Sequence, residues 1–304
     1  MLKIAFITLY IFTGIIMFYS IMMFYKTIMN YRKEHIVETY KLLPRWIYVV
    51  CMWLLISLLL ASYTFVEIII LSYTTISTLE IITALIIFGE AAFSCAMVII
   101  TRKMMIAIKK KNDEIIMTLI STIEAKDKYT QGHSVHVGNV AKLIYDYLPN
   151  KIKNKVNLYH LTNAAILHDI GKIGIHDNIL NKPDKLTEEE RNVIEQHPKI
   201  GKQIFEKTSY GAISEIIFCH HERIDEQGYY GIAANMLPLE SKIIAIADTY
   251  SALCTNRIYR QGKSYDEAMK IIASIAGTQL DSDLVDIFMS IPTNKLTILI
   301  SDSS

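Results

Sequence analysis

The chain has 304 residues, a formal net charge of +1, nine histidines and four cysteines. A charge so near zero carries no polyanion-binding signature, which argues against a DNA-binding role. Cys51, Cys95, Cys219 and Cys254 form no close pair and no regular spacing, which points to neither a disulfide framework nor a zinc ribbon.

The mean hydropathy is positive, which is unusual for a wholly soluble chain, and the excess sits before residue 101. Residues 4–25 carry no charge and are bracketed by Lys3 and Lys26, long enough to cross a bilayer at about 1.5 Å per residue. A second uncharged run, 46–66, places Trp46, Tyr48 and Trp53 near one end, where amphipathic rings favour the interface. A third, 81–100, is broken only by Glu90, which is expected to face other helices, in a sensing role or in plain helix packing. Lys26, Arg32, Lys33, Lys41 and Arg45 lie in the first loop, and Arg102, Lys103, Lys109, Lys110 and Lys111 follow the third run. Positive residues near span ends stay cytoplasmic, so the expectation is three spans with the N-terminus outside. That makes residues 1–102 a membrane domain in the inner (cytoplasmic) membrane of a bacterium, with the lipid bilayer as a partner.

From Met104 to Lys126 a helical stripe of Ile106, Ile115, Ile116, Leu119, Ile120 and Ile123 is interrupted by Lys109 to Glu114. It predicts a connecting helix over 103–120 and a homodimer formed through it. The remainder, 121–304, reads as a helical soluble domain. Thr187 with Glu190 and Ser264 with Glu267 match capping boxes, Asp281 precedes the apolar run Leu284, Val285 and Phe288, and residues 296–300 suggest one short strand. The fold class expected is all-α, three transmembrane helices followed by this domain.

Eight of the nine histidines lie after residue 132. His168-Asp169-Ile170-Gly171-Lys172 follows the helical run Leu161–Leu167; the aspartate there can bridge two metals while the histidine binds one of them. Lys172 projects from the same side and offers a compact positive charge to a phosphate. Further candidates are His133, His197 before Pro198, the pair His220 and His221, and Asp248. Singly, a histidine before proline can be a helix cap, and paired histidines can be surface residues. Asp248 lies among Ile243, Ile244, Ile246 and Ala247, and a buried carboxylate must be paired or bind metal. Cys219 adjoins His220, and a packed structural thiol is the better reading of it than an extra ligand.

Over roughly residues 121–290 these stretches resemble the HD-GYP phosphodiesterases, a subgroup of the HD metal-dependent phosphohydrolases. The resemblance rests on Glu124 to Ser134, His168 to Ile173, His197 to Gly201, His220 to Tyr229, Ile246 to Asp248 and Arg257 to Arg260, in order and with the spacing kept. It implies two divalent metal ions, iron or manganese, held by His133, His168, Asp169, His197, His220, His221 and Asp248, with Asp169 bridging. It implies that Lys172 contacts the scissile phosphate, with Tyr229, Arg257 and Arg260 at the substrate. The implied reaction opens cyclic di-GMP to linear pGpG, and in some members continues to GMP, by metal-ion catalysis with water as nucleophile.

The chain departs from the family pattern in four places. Tyr230 replaces the proline of the Gly-Tyr-Pro motif, so the Gly228–Gly231 loop, a surface for a signalling-protein partner, is expected to be looser. His136 stands where an arginine is common and Ser251 where an aspartate is common. Tyr129 replaces a glutamate that holds a third metal in some relatives, so two metals are expected. Two rival functions remain beside the cyclic di-GMP phosphodiesterase regulated by its membrane segment. One is an HD-type phosphohydrolase for another cyclic dinucleotide or a nucleotide. The other is an inactive cyclic di-GMP receptor, against which the intact ligand set argues.

Overall fold

The computed structural model describes residues 8, 11–20, 22–26, 78–127, 132–208, 210–255 and 262–301. The expected span 46–66, Tyr129, Arg257 and Arg260 lie outside these residues. The chain divides into two compact units, Met1–Asp113 and Glu114–Ser304.

In the first unit, helix α1 covers Ile11–Lys26, and a 49-residue helix α2 starts at Thr78 and runs to Lys126. Among the described residues, the stretch Leu85–Lys126 of α2 is the one helix long and apolar enough to cross a membrane. This helix includes the third expected span, 81–100, and extends well beyond it. Ile87, Ala91, Ser94, Val98 and Thr101 form a narrow buried stripe, while Leu85, Ile86, Phe93, Ile99 and Ile100 are exposed. A helix apolar all round with only a thin stripe covered has the composition of a lipid-facing segment. Residues 103–120 continue α2 without a break.

The second unit is helical, and among the described residues its only β pairing is an isolated bridge between Ala276 and Leu280. Helix α3 (His133–Tyr147) packs on α5 (Leu158–Leu167) and on α10 (Leu239–Cys254), α5 packs on α9 (Gly211–Phe218), and α9 packs on α8 (His197–Phe205). Four short or peripheral helices, α4 (Asn150–Lys153), α6 (Asp177–Leu180), α7 (Glu188–Ile194) and α11 (Tyr265–Ser274), fill the connections, and α12 (Ser282–Met289) and α13 (Thr293–Ser301) close the unit. Ile243, Ile244, Ile246 and Ala247 in α10 are fully buried, as are Val137, Val140, Ala141 and Ile144 in α3. Apolar residues so dense along both helices force them into the centre of the bundle. The functional side chains therefore hang from the most constrained elements.

Helix starts follow the sequence. Thr187–Glu190 and Ser264–Glu267 form complete capping boxes, and Asp281 accepts from the N–H of Leu284; each such cap is worth about 1 kcal/mol. Two expectations are corrected. Residues 296–300 are helical, not a strand, because Leu296 and Leu299, three apart, both pack on the core. The stripe before residue 127 is narrower than expected: Ile116, Ile120 and Ile123 enter the core of the second unit, whereas Ile106, Ile115 and Leu119 are exposed. A spacing of four and three residues keeps only the first set on one face.

Candidate metal centre

Five helix ends and one helix interior deliver the candidate ligands. His133 opens α3 after Gly132, whose φ of 72° is a left-handed conformation that suits glycine. His168 caps α5 at its C-terminal end, and Asp169 leads into a 3₁₀ turn over Ile170–Gly174. His197 opens α8 with proline in its first turn. Gly171 lies against the His197 carbonyl so tightly that a Cβ would collide with it, and only glycine lets the 3₁₀ turn approach α8. His220 and His221 follow the end of α9, and Asp248 sits inside α10.

All seven side chains converge. Donor atoms of Asp169, His197, His220 and His221 lie within 4.8 Å of one another, as do those of His133, His168 and Asp169. Asp169 belongs to both groups, as a bridging carboxylate would. Its Oδ1 is 3.2 Å from His197 Nε2, and its Oδ2 is 3.4 Å from His168 Nε2. Asp248 Oδ1 is 3.0 Å from His133 Nε2 and 4.0 Å from His168 Nε2.

The hydrogen bonds around the rings show that the site fits metal. His168, His197 and His220 each donate from Nδ1 to a carbonyl three residues back, Ala165 at 2.7 Å, Ile194 at 2.8 Å and Ile217 at 2.6 Å. A carbonyl only accepts, so each Nδ1 carries a proton and each ring turns its Nε2 inward, where a metal could take it. His197 Nε2 and His220 Nε2 then face each other at 3.3 Å. Two buried lone pairs at that distance have nothing to share unless a cation or a proton stands with them.

The electrostatics agree. Burial would raise Asp169, but the Lys172 ammonium and His168 outweigh it and hold the carboxyl well below the usual range. Burial likewise opposes ionisation of Asp248, yet hydrogen bonding from His133 keeps it ionised. Burial, and then His221, pushes His220 far down, and burial with His197 lowers His221 to about 3. His168 goes the other way, to about 9, because the charge and hydrogen bond of Asp169 overcome its burial. Two carboxylates and five imidazoles in one cluster form the hard and borderline donor set that divalent transition metals take.

Lys172 Nζ is 2.7 Å from Asp169 Oδ2 and 2.9 Å from Asp127 Oδ2. Asp127, within the stretch Glu124 to Ser134, is buried beside Lys172, and no local sequence signal marks that pairing. Tyr229 stands at the rim, its ring 4.7 Å from that of His221 and 6.4 Å from that of His197. His136 and Ser251, the two helix positions where the chain departs from the family pattern, touch each other, and Ser251 also touches His133. Cys219 is buried with its thiol pushed up to about 12, by burial and then by Glu215 and Glu222, and it stays out of the ligand groups.

The loop expectation is overturned. The Tyr230 ring stacks on Phe218 at 4.5 Å, its hydroxyl donates to the Glu195 carbonyl at 2.8 Å, and its N–H donates to Glu222. The side chain that replaced proline therefore pins the loop.

The HD domain family model matches residues 118–284. This chain belongs to the HD domain family. Among relatives, a cyclic di-GMP phosphodiesterase of Vibrio cholerae is 34% identical over 198 residues, covering 60% of this chain and 40% of that protein. A cyclic di-GMP phosphodiesterase of Thermotoga maritima is 34% identical over 182 residues, 59% of this chain and 49% of that protein. A 3'3'-cGAMP-specific phosphodiesterase of Vibrio cholerae is 35% identical over 173 residues, 56% and 37% of the two chains. The chain spans less than half the length of each of these relatives. The shared part contains the HD domain, whose His168-Asp169 pair lies at the centre of the ligand cluster.

Proposed function

We propose that this HD domain protein is a metal-dependent phosphodiesterase that hydrolyses cyclic di-GMP to linear pGpG. The observation that carries it is the pair of inward-facing histidine nitrogens, His197 Nε2 and His220 Nε2, 3.3 Å apart beside the shared carboxylate Asp169. The seven residues named above would hold two divalent cations, iron or manganese, which supply Lewis-acid charge to an attacking water and to the phosphate. The chain's own groups do the rest. Lys172, held between Asp127 and Asp169, offers its ammonium to a phosphate oxygen. Tyr229, half-exposed beside His221, supplies an aromatic wall for a base. Arg257 and Arg260 are assigned to the substrate's phosphates or bases.

The identity to cyclic di-GMP phosphodiesterases supports this substrate, and the similar identity to a cGAMP-specific enzyme supports a second reading in which another cyclic dinucleotide is cleaved. The test is hydrolysis of both dinucleotides by the full chain in detergent, loaded anaerobically with iron or manganese, beside an Asp169→Ala control. Turnover of cyclic di-GMP lost in the control supports the proposal; full metal loading without turnover of either dinucleotide overturns it.

We further propose that the apolar helices anchor the chain in the inner membrane of a bacterium, with the N-terminus outside and the HD domain cytoplasmic. The all-round apolar α2 and the lysines and arginines flanking the apolar runs support this. The same reading makes α2 the seam of a homodimer, since Ile115 and Leu119 are exposed, and gives the pinned Gly228–Gly231 loop to a signalling partner. Crosslinking in membranes that finds only monomers would remove the dimer.

A further inference from the structure

Ser251 Oγ lies 2.9 Å from His133 Nδ1 and 2.8 Å from His136 Nδ1, and both contacts are buried. No other hydrogen-bond partner of this hydroxyl occurs among the described residues. A hydroxyl has one proton. It donates to one ring, which must be bare at Nδ1, and accepts from the other, which must carry its proton there. Neutral imidazoles that share one hydroxyl in this way hold opposite tautomers.

The surroundings choose between the two arrangements. His133 Nε2 is 3.0 Å from Asp248 Oδ1, and a carboxylate only accepts, so without metal this nitrogen carries the proton. His133 Nδ1 is then bare and accepts from Ser251, and Ser251 accepts from His136 Nδ1. His136 is fully buried and its Nε2 meets no partner among the described residues. Burial, and then His133, lowers His136 to about 4, so the ring is neutral and has one proton to place.

We propose that Ser251 and His136 are positioning residues of the metal centre, forming a tautomer relay whose direction follows metal occupancy at His133. The relay rests on the metal-centre reading above. On loading, His133 gives up its Nε2 proton and takes the Ser251 hydroxyl proton at Nδ1; Ser251 takes the His136 Nδ1 proton; His136 regains one from solvent at Nε2. One proton leaves and one arrives, so the total is unchanged. Every step moves a proton between heteroatoms, and no bond between heavy atoms changes. In the loaded state His133 points its Nδ1–H at an acceptor, which fixes its ring and raises its basicity as a ligand.

The test uses the full chain labelled with ¹⁵N-histidine in lipid bilayers, with solid-state NMR to separate protonated from bare ring nitrogens. Zinc serves as a diamagnetic probe, and His136→Phe assigns the ring. The expected result is that zinc moves the His136 proton from Nδ1 to Nε2 in the native chain and in Ser251→Thr, but not in Ser251→Ala. Zinc affinity, read by chelator competition, should fall by about 10- to 100-fold in Ser251→Ala and hold in Ser251→Thr. A His136 signal that stays put while His133 becomes zinc-bound overturns the relay, as does native affinity in Ser251→Ala. If no histidine responds to zinc, the metal centre itself falls, and the relay with it.

Discussion

The backbone N–H of Tyr230 donates to Glu222 Oε1 at 2.9 Å, a bond that proline at this position could not make. Glu222 is buried, and its Oε2 accepts from the N–H of Ile232 at 2.8 Å, so one carboxylate ties both sides of the loop. Tyr230→Pro removes the N–H donor, the Phe218 stack and the hydroxyl bond together. Each buried hydrogen bond left half-made costs about 1–3 kcal/mol, and the loss should appear as a lower denaturant midpoint with an unchanged slope. A Tyr230→Pro protein as stable as the parent would show that the loop is held by something else.

Lys172 Nζ lies between two buried carboxylates, 2.9 Å from Asp127 and 2.7 Å from Asp169. Burial opposes its charge, but those two carboxylates hold its pKa above the usual lysine value. Lys172→Met would leave both acids facing an uncharged side chain, and breaking a buried pair by removing one partner typically costs about 3–5 kcal/mol. Asp127→Asn should cost less, since Asp169 still pairs with the ammonium. Chemical denaturation of the two variants checks the order, and an inverted order would show that Asp127 is the dominant partner.

Much of this was legible before any coordinates. Helix starts were readable because caps are local: Thr187, Ser264 and Asp281 each satisfy an N–H three residues on. Of the candidate ligands only Asp248, set among apolar residues, is pointed to by its own neighbours in sequence, whereas the histidines are named by the family resemblance. The Lys172–Asp127 pair was not readable, since its partners are 45 residues apart and nothing local links them. Tyr230 was misread because proline's effect on φ can be judged from sequence, whereas the ring partner Phe218 and the acceptor on Glu195 are set by tertiary packing. Residues 296–300 were misread because a short apolar run fits either period until its packing partners are known.

Metal binding should depend steeply on pH. His168 is raised from 6.5 to about 9 in the metal-free fold, so its contribution to stability is fully present below pH 6.5 and is lost as pH rises through about 9. A ligating imidazole must give up that proton. The apparent affinity for a divalent metal should therefore rise by up to about tenfold per pH unit between roughly 6.5 and 9, while the metal-free protein weakens over the same range. Asp169, held below 3.8, contributes in the opposite sense: its stabilisation is present above that value and is lost on acidification. Isothermal titration at several pH values, with parallel melts of chelated protein, reads both trends. A pH-independent affinity would mean that His168 is not a ligand.

Removing metal should itself destabilise the second unit, because His197 Nε2 and His220 Nε2, 3.3 Å apart beside Asp169, would lose the cation that both can ligate. Metal at 100 times its dissociation constant adds about 2.7 kcal/mol. Exhaustive chelation should lower the melting temperature, and re-addition of manganese should restore it. A melt indifferent to chelation and to manganese would leave the cluster as a hydrogen-bonded core alone.

Tyr229 separates binding from chemistry. Its ring lies 4.7 Å from His221 and is 37% exposed, and its phenol is pushed up to about 12, by burial and then by Glu195 and Asp169. A phenol so weakly acidic is a poor proton donor at neutral pH, so Tyr229→Phe should leave hydrolysis nearly unchanged. Loss of the ring is different. Stacking of a base on an aromatic side chain is worth about 1–3 kcal/mol, so Tyr229→Ala should raise KM for a cyclic dinucleotide by roughly 5- to 150-fold with kcat much less affected. A fall in kcat at constant KM would instead place the ring at the reacting phosphate, where it would shield the centre from bulk water.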